Sequence, residues 1–543
     1  MKPTRLLLLI FLCTFALRAL FIFETYEQVD FRTPAPGLDV DLHWAAASCI
    51  LDKIDPCFAL MQPSAPFFSY YLALSRSLLG DNLVWHRLVM TLFGSCTILL
   101  LSLITLRLTK SLIASCVVGI LCATLPSLLY FDTMLYKVSL NLFFLSLALW
   151  LLMPIIENKP QGTTKGYQWI AGLCLLFAAI NQQSALLWYL PVLASLHLTN
   201  RCHPYLRQAK ISIWVCFSLT LIISFCIPFK SSKGYQHFWP QSGIHMRIGF
   251  HPGATGTYSP LPGIPSTPYG HVFYARIQAE DKLQTRLSPK EINRYHFGFA
   301  LDYIRDNPTK VLKLLFQKTL FFLNHAELKG VDSLQRLQAK TKLLNLPSLG
   351  FAGIFVFGFL GIFALFTKKE WRPLLLFGGV FLMIAVANLL TFVTWRYRLP
   401  AVIPLAIFAG IGFNSIWLEI TKRRQWTSLV RYGVLITLGF FITSRPMLPK
   451  HIERGLALTA ESNSNRRLHT EELRERIADL DNKTELVFSE KIERIFHYTS
   501  IARHGKAFLE LEKLGEKIEE SDRARKRYAL YQRWLGKTKS GNP

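Results

Sequence analysis

The chain has 543 residues, of which 51% are hydrophobic, 13% aromatic and only 18% charged. With 40 Phe and long apolar blocks, that composition excludes an ordinary soluble globular protein. The formal charge of +26 comes from 61 Lys and Arg against 35 Asp and Glu. No basic, aromatic-rich soluble module accompanies it, so no nucleic acid is expected as a partner. Basic loops on one side of a membrane account for the excess instead.

A helix rises about 1.5 Å per residue, so a block of about 18–20 apolar residues crosses the hydrocarbon core. The first such block, Leu6 to Phe23, follows Met-Lys-Pro-Thr-Arg and superficially resembles a signal peptide. It lacks a small-x-small cleavage site and Arg18 interrupts its end, so an uncleaved first span is expected. Further spans are expected near 83–106, 112–131, 138–156, 168–182, 184–199, 211–229, 347–366, 373–393, 399–419 and 428–444. The predicted fold is all-α: a polytopic transmembrane helical protein of about eleven spans, with extracytoplasmic loops and a small helical C-terminal domain.

Lys and Arg in the short loops set the orientation. With the N-terminus cytoplasmic, the inner loops are Arg107 to Lys110, Glu157 to Tyr167, Asn200 to Lys210, Thr367 to Arg372 and Thr421 to Gln425, each carrying basic residues. The opposite connections around Asp132 and Asn181 carry few, and Arg396 and Arg398 are the exception. Three regions then lie outside: the first loop 24–82, the long segment 230–345 and the tail 445–543.

The first loop should be helical at about 41–53 and 66–79. The long segment opens with turn formers, Gly249-Phe-His-Pro-Gly253 and Thr257-Tyr-Ser-Pro-Leu-Pro-Gly263. Ser288-Pro-Lys-Glu291 reads as a capping box, and Pro308 to Asn324 as a helix lying in the membrane interface. Between 230 and 345 there are 16 Lys or Arg against 7 Asp or Glu, a surface that attracts anions. In the tail, Leu473, Ile477 and Leu480 share one helical face and Leu511, Leu514 and Ile518 another.

All ten cysteines precede residue 227, mostly in apolar segments where they act as small hydrophobes. Cys49 and Cys57 in the first loop would pair if that loop faces an oxidising compartment. No Cys-x-x-Cys or Cys/His metal spacing occurs.

The residues with chemical potential gather at the outer boundary. Asp39-Val40-Asp41, followed by His43, places carboxylates just outside a span, where one could deprotonate a hydroxyl or amine acceptor. Either Asp could instead cap the helix that follows, and for Asp41 the two readings are equally open. Asp132, in the turn between the third and fourth spans, is either a second acidic site residue meeting Asp39 or a turn residue. Lys137 binds phosphate or snorkels to headgroups. Arg396 and Arg398 offer planar forks suited to phosphate oxygens, with headgroup anchoring as the alternative. Arg247 and His251 in the Gly/Pro-rich loop, with His245, complete the donor-phosphate candidates.

Together these residues resemble the GT-C superfamily of membrane glycosyltransferases, which includes the protein mannosyltransferases and the aminoarabinose transferases of lipid A, with the bacterial Rgt-like branch the nearest in pattern. The resemblance rests on Leu38-Asp39 before a Trp/Ala-rich helix, Gln62-Pro-Ser-Ala-Pro66-Phe-Phe-Ser-Tyr-Tyr71, Gly80, Arg87-Leu-Val, Leu129-Tyr-Phe-Asp132, Lys137, Arg396-Tyr-Arg-Leu-Pro-Ala401 and the segment Ile248 to Gly263. It covers most of 1–420. It implies a glycosyltransferase domain over 1–444 in the cell inner (plasma) membrane, with an extracytoplasmic active site. It also implies a polyprenyl-phosphate-linked sugar donor and an inverting transfer to an envelope glycan, lipid or protein, with Asp39 as base and Asp132 as the second acidic position. Many relatives carry Asp-Glu and Tyr where this chain has Val40, Asp41 and His43. Some relatives use a metal, so a divalent cation stays open, with no ligand set visible. A transporter or flippase of an amphipathic lipid is the competing class, for which ionisable residues within spans and a pseudo-repeat would be expected. A third reading makes the spans an anchor for a partner-binding tail.

Overall fold

The computed structural model describes residues 3–26, 28, 39–52, 67–154, 166–198, 204–225, 228–231, 234–237, 242–259, 261, 264, 271, 275–285, 287–328, 334–423 and 426–444. Helix covers most of the described residues in each apolar block expected to span the membrane, although the block 211–229 gives way to a strand at Pro228. In chain order, α1 covers Pro3–Thr25, α2 Asp39–Leu51, α3 Phe67–Leu79, α4 Leu83–Thr109, α5 Leu112–Ala123, α6 Pro126–Thr133, α7 Lys137–Leu151 and α8 Tyr167–Asn181. A 3₁₀ turn, Gln183–Trp188, leads into α9 (Tyr189–Leu198) and then α10 (Pro204–Phe225). After the long connection come α16 (Gly350–Thr367), α17 (Trp371–Leu390), α18 (Trp395–Thr421) and α19 (Trp426–Ser444).

Among the described residues, six helices are long and apolar enough to cross a membrane: α1, α4, α10, α16, α17 and α18. A bent pair, α5 with α6, forms a seventh, broken span, while α7, α8 and Val430–Ser444 are apolar but shorter. The sequence reads 112–131 as one continuous span, yet the chain turns by 64° between α5 and α6. Pro126 is the cause: it holds the preceding Leu125 in an extended conformation (ψ 116°) and itself starts the next helix. Asp132, on α6 beyond the bend, is buried.

Local signals explain where helices begin. Asn82 accepts a hydrogen bond from the Val84 amide at 3.0 Å to cap α4, and Ser111 caps α5 from Ala114 at 3.3 Å. Inside the bundle, α1, α4 and α6 are tied by buried arginines. Arg18 donates to Asp132 Oδ2 through Nε at 2.9 Å and Nη2 at 2.8 Å. Arg87 donates to the Thr133 carbonyl at 2.8 Å and to Thr25 Oγ1 at 3.0 Å. Gly94 makes this packing feasible, since a Cβ there would lie 2.3 Å from Asp132 Cγ.

The long connection forms an outer layer. It opens with an unforeseen antiparallel hairpin, β1 (Pro228–Ser231) and β2 (Gly234–His237). It continues with α11 (Ser242–Gly249), α12 (Ala275–Leu283), α13 (Pro289–Asp306), α14 (Pro308–Leu323) and α15 (Leu334–Gln338). The capping box expected at Ser288 is present on α13. α14 buries Val311, Leu314, Lys318, Phe321 and Phe322, while Leu312 and Phe316 stay exposed.

This layer grips the chain that joins α17 to α18. Lys318, fully buried, donates to the Leu389 carbonyl at 3.0 Å and the Thr391 carbonyl at 2.6 Å, and its ammonium sits 3.8 Å from the Phe250 ring centre. The Val393 amide donates to the Gly256 carbonyl at 3.0 Å. Gly249 lies so near that a Cβ would sit 2.0 Å from the Thr391 carbonyl oxygen. The tail 445–543, expected to be helical, and the expected Cys49–Cys57 pairing lie outside the described residues and side chains.

Candidate active site

Three helices begin around one cavity. α2 starts at Asp39, α7 at Lys137 and α18 at Trp395, so each places a charged side chain from its first turn there. The cavity is lined by Asp39, Val40, His43, Leu135, Tyr136, Lys137, Val138, Gln182, Arg396 and Tyr397. These residues come from four connections that the charge alternation assigns to the same side of the membrane. Helix N-termini carry unpaired amides and a partial positive charge, which adds to Lys137 and Arg396 in favouring an anion.

Asp39 and Arg396 form an ion pair in which Arg396 Nη1 donates to Asp39 Oδ2. Neither is sealed: their side chains are 24% and 18% exposed. Burial by itself would raise the Asp39 carboxyl, but the charges of Arg396 and Lys137 outweigh it and hold the group at about 2. Thr394 orients the arginine turn by accepting from the Tyr397 amide at 3.4 Å, and the guanidinium lies 5.2 Å from the Tyr397 ring centre and 5.7 Å from that of Tyr136. Lys137 is fixed through its backbone, since its carbonyl accepts from Asn181 Nδ2 at 2.9 Å. Asn181 also donates to Asn141 Oδ1 at 2.6 Å, and Asn141 donates to Gln182 Oε1 at 3.0 Å.

Histidines form a further wall. His43, one turn beyond Asp39, is buried, with Nδ1 at 2.9 Å from Ser69 Oγ and Nε2 without a partner among the described residues. Burial first, then Lys137, lowers its imidazole to about 3, so the ring is neutral. His245 on α11 packs against Phe392, Tyr397 and His271, and is lowered to about 3 by burial and by His271. The Tyr258 hydroxyl lies 2.8 Å from His271 Nε2. A deprotonated carboxylate, two cations and one neutral imidazole, that of His43, thus line one partly open cavity.

Of the residues singled out in sequence, Asp39, Lys137 and Arg396 converge. Asp132 does not meet Asp39: it is 1% exposed, bound to Arg18 and absent from the cavity lining. Arg398 points away from the cavity too. Although it shares a short turn with Arg396, it is buried and donates to the carbonyls of Phe321, Phe322, Asn324 and Ala326 and to Glu327. Arg247 and His251 lie in the outer layer, off the cavity lining. Asp41 is on α2, but its side chain lies outside the described ones. Tyr136, Gln182 and Tyr397 line the cavity without having been picked out; the polar Asn181-Gln182-Gln183 break was the visible signal for one of them.

A divalent cation does not fit the described donors. No cluster of three His, Cys, Asp or Glu side chains occurs among the described residues, Asp39 is held by Arg396, and Asp132 is held by Arg18.

No known family profile matches the chain, and no curated protein matches it. Among solved structures, it is similar to the oligosaccharyltransferase of Archaeoglobus fulgidus. One crystal structure of that protein, tethered to an acceptor peptide containing the NVT sequon, is 13% identical and aligns over 79% of this chain and 53% of that one, with a TM-score of 0.42. Another, of AglB with an inhibitory peptide and a dolichol-phosphate, is 12% identical over 80% and 54%, with a TM-score of 0.43. The chain spans about half the length of these structures.

Proposed function

We propose that the chain is an integral-membrane glycosyltransferase. It moves a sugar from a polyprenyl-phosphate donor to an envelope glycan, lipid or protein on the extracytoplasmic side, with residues 1–444 as the catalytic domain. Its location is the inner (plasma) membrane, multi-pass, with the N-terminus cytoplasmic and the tail 445–543 outside. The observation that carries this reading is the meeting of Asp39 with Lys137 and Arg396 at three helix N-termini.

In this mechanism the donor phosphate lodges between Arg396 and Lys137. The acceptor oxygen or nitrogen attacks the anomeric carbon from the opposite face and the bond from that carbon to the phosphate oxygen breaks. The bonding pair leaves with the phosphate, where the guanidinium, the ammonium and the helix ends stabilise the new charge. The acceptor's proton passes to Asp39, and the sugar's configuration inverts. Asp39 is a feeble base while Arg396 holds it near 2. An arriving phosphate competes for that guanidinium, so donor binding itself restores the basicity of Asp39.

Purified protein in proteoliposomes holding a labelled polyprenyl-phosphate sugar tests the reading when supplied with an envelope extract. Label appearing in an acceptor, with free polyprenyl phosphate left behind, is the expected result. Translocation of the intact lipid without product would replace it with the flippase reading.

A further inference from the structure

Arg247 is a buried guanidinium without a counter-ion. Its residue is 8% exposed, and no carboxylate pairs with it among the described residues. Its Nη1 donates to Gln278 Oε1 at 2.7 Å and to His296 Nδ1 at 2.8 Å, and the group lies 4.1 Å from the Phe299 ring centre. His296 is itself neutral, because Nδ1 accepts from Arg247 and Nε2 faces the Ala275 carbonyl at 3.0 Å. The guanidinium is therefore oriented by uncharged partners, and its Nε–H is buried with no acceptor among the described residues.

Four residues on, just past the end of α11, His251 shows the same deficit. It is 7% exposed, and its Nδ1 accepts from the Gly253 amide at 3.1 Å, which places the ring proton on Nε2. That Nε2–H is also buried and unpartnered among the described residues. Two buried donors four residues apart, one on a full positive charge, each lack an acceptor among the described residues. A buried charge left unpaired is costly, and so is each buried donor left unmade. An oxyanion repairs both.

We propose that Arg247 and His251 form a second oxyanion site in the outer layer, for a phosphate or carboxylate group. It is separate from the Asp39 cavity, and only the acceptor source named next rests on the glycosyltransferase reading. The group comes either from an anionic acceptor or from a lipid headgroup at the membrane surface. Because His245 on the same short helix faces the cavity wall, occupancy would steady α11 against the Phe392–Tyr397 segment.

Calorimetric titration of the full chain in phosphatidylcholine nanodiscs tests this with inorganic phosphate and, separately, acetate. Using the Arg396→Gln background weakens the cavity and isolates the second site. At least one probe should bind, and adding Arg247→Gln should weaken that binding about tenfold. His251→Phe, which keeps the ring volume and removes the donor, should weaken it severalfold and serves if the arginine variant does not fold. Nanodiscs containing phosphatidylglycerol should suppress the titration through Arg247 if a headgroup is the natural ligand, and leave it unchanged if an acceptor group is. Binding of neither probe, or binding indifferent to both Arg247→Gln and His251→Phe, would overturn the site.

Discussion

Among the described residues, two aspartate–arginine pairs join distant parts of the chain, and their surroundings give them opposite prospects. Arg18–Asp132 is sealed, with side chains 0% and 2% exposed, and Gly94 presses against the carboxylate. Asp39–Arg396 sits in a cavity with both partners partly exposed and Lys137 alongside. A sealed pair can only hold helices together. An open one can exchange its arginine for another anion, and that exchange is what a phosphate-linked donor requires. The same two residue types thus serve architecture in one place and, on the proposed reading, chemistry in the other.

Removing a carboxylate from each pair should break the comparison most sharply. Asp39→Asn should reduce sugar transfer about 10²–10⁴-fold, the usual worth of a general base, with a smaller loss of thermal stability than Asp132→Asn because its pair is partly exposed. Asp132→Asn should do the reverse. It strands the Arg18 charge and should lower stability by about 3–5 kcal/mol in unfolding measurements, while the surviving folded fraction keeps its turnover. Gly94→Ala probes the sealed pair from outside, and the overpacking should cost about 1–3 kcal/mol.

Smaller effects should come from the clamp behind Arg396. Lys318→Met removes the ties to the Leu389 and Thr391 carbonyls, so it should raise the donor KM about tenfold or less and change kcat little. Burial lowers the Lys318 ammonium from its usual range to about 7. A depressed lysine is charged only below that value, so its burial penalty is present at low pH and is relieved as pH rises from 7 toward the unfolded value. Stability of the wild type should therefore climb across that window relative to Lys318→Met. An alkaline limb in kcat/KM near pH 7, as the clamp loses its charge, should vanish in the variant. Asp39, held at about 2, and His43, at about 3, should add no acid limb to kcat/KM of the free enzyme above roughly pH 4.

Hydropathy and loop charge report where an apolar block ends, so residues just past such ends could be grouped from sequence. That is why Asp39, Lys137 and Arg396, named from scattered connections, meet in one cavity. Partnership within the bundle could not be read this way. Arg18 looked like a mere interruption of an apolar run, yet 114 positions away it claims Asp132. The step that hid this is local: Pro126 breaks an apparently continuous span and redirects the turn that carries Asp132. Arg396 and Arg398 differ by two residues on a helical turn, so they face different neighbours. Nothing in Arg-Tyr-Arg says which faces the cavity. Arg247 and His251 were noticed as possible phosphate ligands, and their distance from Asp39 depends on how the Gly/Pro-rich loop folds back, which local pattern does not encode.

Mass spectrometry of envelope glycans, lipids and proteins from cells carrying wild-type protein, Asp39→Asn protein or none is the most direct test of the catalytic assignment. The expected result is a sugar modification that is missing without the protein and still missing with Asp39→Asn present at wild-type abundance. Restoration of that modification by Asp39→Asn would contradict the account.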